Sequence, residues 1–190
     1  MATQSPSKGL YLQILVQPFG EVKEKVLHHI CVNLSNYFPG SEAILSDLTW
    51  EMPESAYSQK RNQYLARHLL DDLSTWGDEY HYGRVLGVCD DDLYATGFNF
   101  IFGEAEYPGT AAIISLKRLG GSLREEQERA LKESIHELGH TFGLKHCRKP
   151  ICIMSFSKTL QDTDMKGMIF CETCFGRLNN PAGKSVVSAR

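Results

Sequence analysis

The run His136-Glu137-Leu138-Gly139-His140-Thr141-Phe142-Gly143-Leu144-Lys145-His146 ties a helix, a helix stop and a returning chain to one point in space. His136 and His140 are four residues apart, about 400° of rotation on an α-helix, so their imidazoles share one face a turn apart. Were the helix to continue, His146 would lie about 9 Å further along the axis and about 240° around it. Gly143 lets the chain turn instead, because glycine adopts the left-handed conformation that closes a helix at little cost. Three imidazoles can then meet one cation at about 2 Å each. Glu137, on the neighbouring face, is badly placed as a ligand and well placed to hold a water on that cation. A bare His-Glu-x-x-His arises on helices by chance. Gly143 and His146 each answer a geometric need, so the run reads as a metal site; a metal site need not turn over substrate.

The helix that carries the run is well specified. Gly120 and Gly121 end the preceding segment, and Ser122-Leu123-Arg124-Glu125 reads as a capping box with Ser122 as N-cap. The predicted helix spans 122–142. Glu125 with Arg129, and Glu128 with Lys132, are favourable i,i+4 pairs. Leu123, Ala130, Leu131, Ile135, Leu138 and Phe142 recur at helical spacing and form the expected buried stripe.

Four of the six cysteines fall in two short-spaced pairs, Cys147 with Cys152 and Cys171 with Cys174. Such pairs suit a closed tetrahedral zinc site. Two disulfides are the competing reading. The first residues lack the basic region of an export signal, and a reducing compartment favours metal over disulfide. A cytoplasmic protein is therefore expected. Cys31 and Cys89 stand alone and read as small core or surface residues. Met154, two residues after Cys152, is by default core filler; in the loop that must return under the metal it gains weight as a support for the imidazoles.

Together these residues resemble the archaemetzincins, a branch of the metzincin zinc peptidases. The shared pattern is His136-Glu137-x-x-His140-x-x-Gly143-x-x-His146-Cys147-x4-Cys152-x-Met154, followed after sixteen residues by Cys171-x-x-Cys174. The resemblance implies a catalytic zinc on His136, His140 and His146 and Glu137 as general base. It also implies Met154 as the Met-turn residue and a second, structural zinc on Cys147, Cys152, Cys171 and Cys174. Several other metzincin branches carry a ligating tyrosine two residues after that methionine; here the position is Phe156.

At 190 residues and 42% hydrophobic, the chain is expected to form a single catalytic domain, 1–190. Leu10–Gln17, Ala43–Trp50 and Arg84–Cys89 read as strands, with Pro18 stopping the first. Helices are predicted over Glu21–Phe38 and Lys60–Thr75, the latter burying Tyr64, Leu65, His68, Leu69 and Leu73. This β-α-β-α-β order implies parallel strands. Thr96–Gly103 and Thr110–Lys117 read as two further strands joined by a loop over 103–109. The fold class is thus α/β (α+β): a twisted, mixed but mostly parallel five-stranded sheet over the active-site helix, which the resemblance makes a metzincin-like zincin fold. Residues 8–143 would form the upper part, and 144–180 a small zinc-stabilised lower part with short helices near Thr159–Lys166 and Cys171–Leu178. The resemblance implies that the strand before the last one is an edge strand beside the cleft, for which Asn99–Phe102 is the candidate and where an extended peptide could add by strand pairing. Asp90-Asp91-Asp92 reads as a solvated turn, His28, His29, His68 and His81 as ordinary surface or core residues, and the tails Met1–Lys8 and Pro181–Arg190 as frayed.

The formal charge is −3, with no basic excess to suggest nucleic acid and no apolar run long enough for a membrane span. A monomer acting on a peptide or protein substrate is expected. The function expected is metal-assisted hydrolysis of peptide bonds by a Glu137-activated water, with two zinc ions per chain. The alternatives are a zinc-loaded peptide-binding protein without turnover, and a cysteine cluster that serves as an interaction module. Cys147 adjoins His146, so bracing of the first site is the stronger reading of that cluster.

Overall fold

The computed structural model describes residues 12–179. The two tails and the start of the first strand lie outside them. Five strands form one sheet in the order β2-β1-β5-β8-β7: β1 (Leu12–Phe19), β2 (Ser41–Leu45), β5 (Arg84–Cys89), β7 (Gly103–Ala105) and β8 (Ala111–Ser115). All neighbours pair in parallel except β7 on β8. Between them in sequence come helix α1 (Glu24–Leu34), short strands β3 (Tyr57–Ser58) and β4 (Gln63–Leu65), helix α2 (Ala66–Glu79) and strand β6 (Leu93–Tyr94). Helices α3 (Leu123–Thr141), α4 (Leu160–Met165) and α5 (Glu172–Asn179) follow. No helix among the described residues is long and apolar enough to cross a membrane.

The period-2 alternation of strand side chains sorts the core into two layers. Ile14, Val16, Leu86, Val88, Ala112 and Ile114 face α1, α3 and the segment carrying Ile153 and Met154. Leu15, Val85, Ala111 and Ile113 face α2 through Leu69, Leu70 and Leu73. The central strands are thus covered on both faces, as parallel strands require.

Several boundaries differ from expectation. Strand β1 runs through Pro18, because β2 pairs only as far as Leu45 opposite Val16. Beyond that point the Pro18 carbonyl accepts from Trp50 N–H at 3.0 Å, and no ladder partner requires the missing N–H. Helix α2 begins at Ala66 rather than Lys60. Asn62 has φ +53°, and Tyr64 and Leu65 pair with β6, so the helical periodicity upstream yields to a strand. His68, expected inward, is exposed on α2. Thr96–Gly103 is not a strand: Ile101 makes one isolated bridge to Leu93, and the edge strand is Gly103–Ala105, inside the expected loop. The register of β8 selects it, not the β-propensity of the apolar run before it. The acidic turn is half-buried rather than solvated, with Asp92 held by Arg118 at 2.7 Å through Nε and Nη2.

Candidate metal centre and cleft

Helix α3 begins with the expected capping box: Ser122 Oγ accepts from Glu125 N–H, and Glu125 accepts from Ser122 N–H. Leu123, at the first helical position, is 41% exposed and so leaves the expected stripe, of which Ala130, Leu131, Ile135 and Leu138 are buried and Phe142 is partly buried. Arg129 reaches Glu125 at 3.8 Å but binds Asp164 at 2.7 Å. The expected Glu128–Lys132 pair does not form. Glu128 pairs with Arg124, and Lys132 donates to the carbonyls of Thr163 and Asp164.

At its C-terminal end α3 presents His136 and His140. Gly143 follows with φ +80°, where a Cβ would meet only Pro108 at 3.9 Å, so the conformation and not space calls for glycine here. The turn brings His146 back. Its ring centroid lies 5.3 Å from that of His136 and 4.7 Å from that of His140. Nδ1 of His136 donates to Ile153 O at 2.8 Å, and Nδ1 of His140 to Leu144 O at 2.7 Å. These bonds place the proton on Nδ1 and leave both Nε2 lone pairs bare. The two Nε2 atoms nevertheless stand 3.2 Å apart. Nitrogens about 2.0–2.1 Å from a tetrahedral zinc lie about 3.3 Å from each other, so the spacing fits a shared cation. One nitrogen from each of the three histidines lies within 4.8 Å of the others.

Burial depresses the basicity of all three imidazoles, to about 4 for His140. They are neutral at pH 7, the state a metal ligand needs. Burial also pushes the Glu137 carboxyl well above the usual range, aided by Glu133 and Glu104 and opposed by Lys166; a dication at the histidines opposes it further.

Two unremarked glycines shape the site. A Cβ on Gly139 would stand 2.5 Å from Met154 Sδ, so the fully buried methionine packs directly under the helix between His136 and His140. A Cβ on Gly103 would stand 2.6 Å from Glu137 Cγ and 2.7 Å from Ile113 O, so the edge strand leaves Glu137 its room. Neither is singled out by the sequence: Gly139 occupies a variable position of the His-Glu run, and Gly103 carries no local signal.

The four cysteines converge as expected, with their sulfurs within 4.8 Å of one another and no disulfide among them. Cys147 and Cys171 Sγ are 3.8 Å apart. Thiolates about 2.3 Å from a tetrahedral zinc lie about 3.8 Å apart, so this cluster also fits the ion. Lys149 N–H and Cys171 N–H donate to the sulfurs of Cys147 and Cys152. Cys147 N–H donates to Met154 O at 2.8 Å, so the cysteine loop and the methionine under the histidines share a backbone bond. His28, His29, His68 and His81 join neither cluster.

The histidines and Glu137 open into a cleft of about 790 Å³. Gly103–Ala105 with Phe98, Phe100 and Phe102 form one wall, and Phe156, Ser157 and Lys158 line it as well. Phe156 packs on the His146 ring at 4.7 Å. Tyr107 also lines the cleft and donates to Gly143 O at 3.2 Å, pinning the helix stop. In the sequence Tyr107 falls within the loop expected over 103–109, with nothing to mark it.

A family model described as peptidase family M54 matches residues 17–180. The chain is 41% identical over 187 residues to the archaemetzincin of Pyrococcus furiosus, covering 93% of this chain and 97% of that one. Its structure is similar to the crystal structure of archaemetzincin from Methanopyrus kandleri, with a TM-score of 0.85, 38% identity, and coverage of 93% of this chain and 98% of that chain. It is also similar to a zinc-dependent peptidase from Methanocorpusculum labreanum, with a TM-score of 0.79, 27% identity, and coverage of 87% and 100%.

Proposed function

The chain belongs to peptidase family M54, the archaemetzincins, and on that premise, as a zinc metallopeptidase, we propose that it cleaves peptide bonds with Glu137 as general base beside a zinc held by His136, His140 and His146. Bound there, zinc would polarise the scissile carbonyl and lower the pKa of a water toward about 7. The Glu137 carboxylate takes the proton of the attacking water and passes it to the leaving nitrogen. Ile153 and Leu144 carbonyls hold the two helical imidazoles in the ligating tautomer. Met154 supports them from below through the gap that Gly139 leaves. Cys147, Cys152, Cys171 and Cys174 would hold a second zinc, which would brace the loop from His146 onward. The substrate is an extended peptide or protein segment that pairs with the free edge of β7, the last strand of its sheet. The chain acts as one catalytic unit, the part up to Gly143 providing the edge strand and the helix with His136, Glu137 and His140, and the part from Leu144 onward providing His146 and Met154.

The observation that carries this reading is the convergence of three neutral imidazoles and one carboxylate at the floor of a cleft bounded by an edge strand. Glu137→Gln tests it. Zinc content by elemental analysis should be unchanged, while hydrolysis of a peptide library should fall about 10²–10⁴-fold. A Glu137→Gln protein as active as wild type would remove Glu137 from the mechanism.

A further inference from the structure

Glu133 stands one helical turn before Glu137, is 2% exposed and lines the same cleft. Its Oε1 accepts from Thr163 Oγ1 at 3.0 Å and lies 2.9 Å from Lys166 Nζ. Lys166 is as deeply buried as Glu133, with its side chain 1% exposed. The contact is an ion pair without hydrogen-bond alignment, and no other acceptor among the described residues reaches that ammonium. Burying two charges costs several kcal/mol per ion before their attraction is counted, and apolar side chains of like volume often serve stability as well. The pair is also not needed to join α3 to α4. Arg129 binds both oxygens of Asp164, and Lys132 caps the carbonyls of Thr163 and Asp164.

We propose that Glu133 and Lys166 are positioning residues for the metal: a buried ion pair that sets the charge balance at the His136–His140–His146 cluster and thereby its zinc affinity. The inference rests on the zinc reading of that cluster. Glu133 lies three residues before His136 on the same helix, about one turn away, and lines the cleft into which all three histidines open, so its charge and that of Lys166 behind it act on the cluster through buried protein. Glu133 lines the cleft and Lys166 does not, so the anion is the member that faces an arriving cation.

The test is the zinc dissociation constant of the histidine cluster in the full chain, by chelator competition with the cysteine cluster loaded. Glu133→Gln leaves an uncompensated cation and should weaken zinc about 10–100-fold, the usual span for residues behind a ligand shell. Lys166→Met should tighten it or leave it unchanged. The reversed pair Glu133→Lys/Lys166→Glu keeps an ion pair between the two elements but puts the cation on the cleft side, and should weaken zinc at least about tenfold. Thermal unfolding of each variant reports folding. Folded Glu133→Gln and reversed-pair proteins with zinc affinity within about threefold of wild type would overturn the proposal. Unfolding of both would make the pair structural and overturn it equally. A wild-type chain that takes no zinc at the histidines would instead sink the zinc reading itself.

Discussion

Gly103 and Gly139 both make room for the site, but the atoms they make room for differ in freedom. At Gly139 the nearest atom to an added Cβ is the sulfur of Met154, the far part of a flexible side chain. At Gly103 the neighbours are Glu137 on one side and the Ile113 carbonyl on the other, 2.6 and 2.7 Å away. The carbonyl belongs to the β7–β8 ladder and cannot retreat without breaking it, so Glu137 must move. Gly103→Ala is therefore expected to displace the general base and lower kcat by about 10²-fold, the cost of a misplacement near 1 Å. Zinc content should not change, because the atoms nearest an added Cβ belong to Glu137 and Ile113 and not to a histidine. Loss of zinc in step with activity would show that the edge strand, and not Glu137, is what the substitution disturbs.

Helix α3 shows which parts of the molecule the sequence could announce. Its cap, its apolar stripe from Ala130 onward and its stop at Gly143 are local events, and the spacing of residues within one turn discloses them. The cysteine pairs and the three histidines were legible for the same reason. The edge strand was not, because β7 is made by its register on β8, and a Gly-Glu-Ala segment has no strand signature of its own. Nor were Thr163, Asp164 and Lys166 as partners of Lys132, Arg129 and Glu133, because they lie across space on α4 and the residue after it. One of these contacts has a pH signature. The Asp164 carboxyl is held below its ordinary range by the Arg129 guanidinium. A depressed carboxyl contributes stability above its unfolded pKa of about 4, and the contribution is lost as pH falls through the lower folded value. Asp164 is 47% exposed, so solvent screens the pair to about 1 kcal/mol or less. The denaturation midpoint of Asp164→Asn should lie below wild type at pH 6, and the gap should narrow progressively as pH falls below about 4. A gap that stays constant as the pH is lowered from about 6 to about 2 would assign the loss to packing and not to charge.

Taken whole, the molecule holds two clusters whose protons are already sorted. The formal charge is −3; four thiolates and two zinc ions cancel, so full loading leaves it near −3 if the imidazoles stay neutral. Burial makes them so, with His140 titrating only at about 4. Zinc entering that cluster at pH 7 has almost no proton to displace. The cysteine cluster is different. Burial raises the thiols of Cys152 and Cys174, while Cys171, held by N–H donation from the chain near Cys174, falls to about 7. Zinc entering there must release at least the protons of Cys152 and Cys174 and part of that of Cys171. Each proton released weakens apparent affinity about tenfold per pH unit on acidification below its pKa. Lowering pH from 8 to 6 should thus weaken the cysteine cluster steeply and leave the histidine cluster almost unchanged. Calorimetric zinc titration of metal-free protein at pH 7, in two buffers of different ionisation enthalpy, counts the protons. A His136→Ala/His140→Ala protein isolates the cysteine cluster, and the difference from wild type gives the other. Equal proton release at the two clusters would mean that burial does not preset the imidazoles as neutral ligands. A single zinc bound by both proteins would leave the histidines without a metal of their own under those conditions, and the two-zinc reading would then fail.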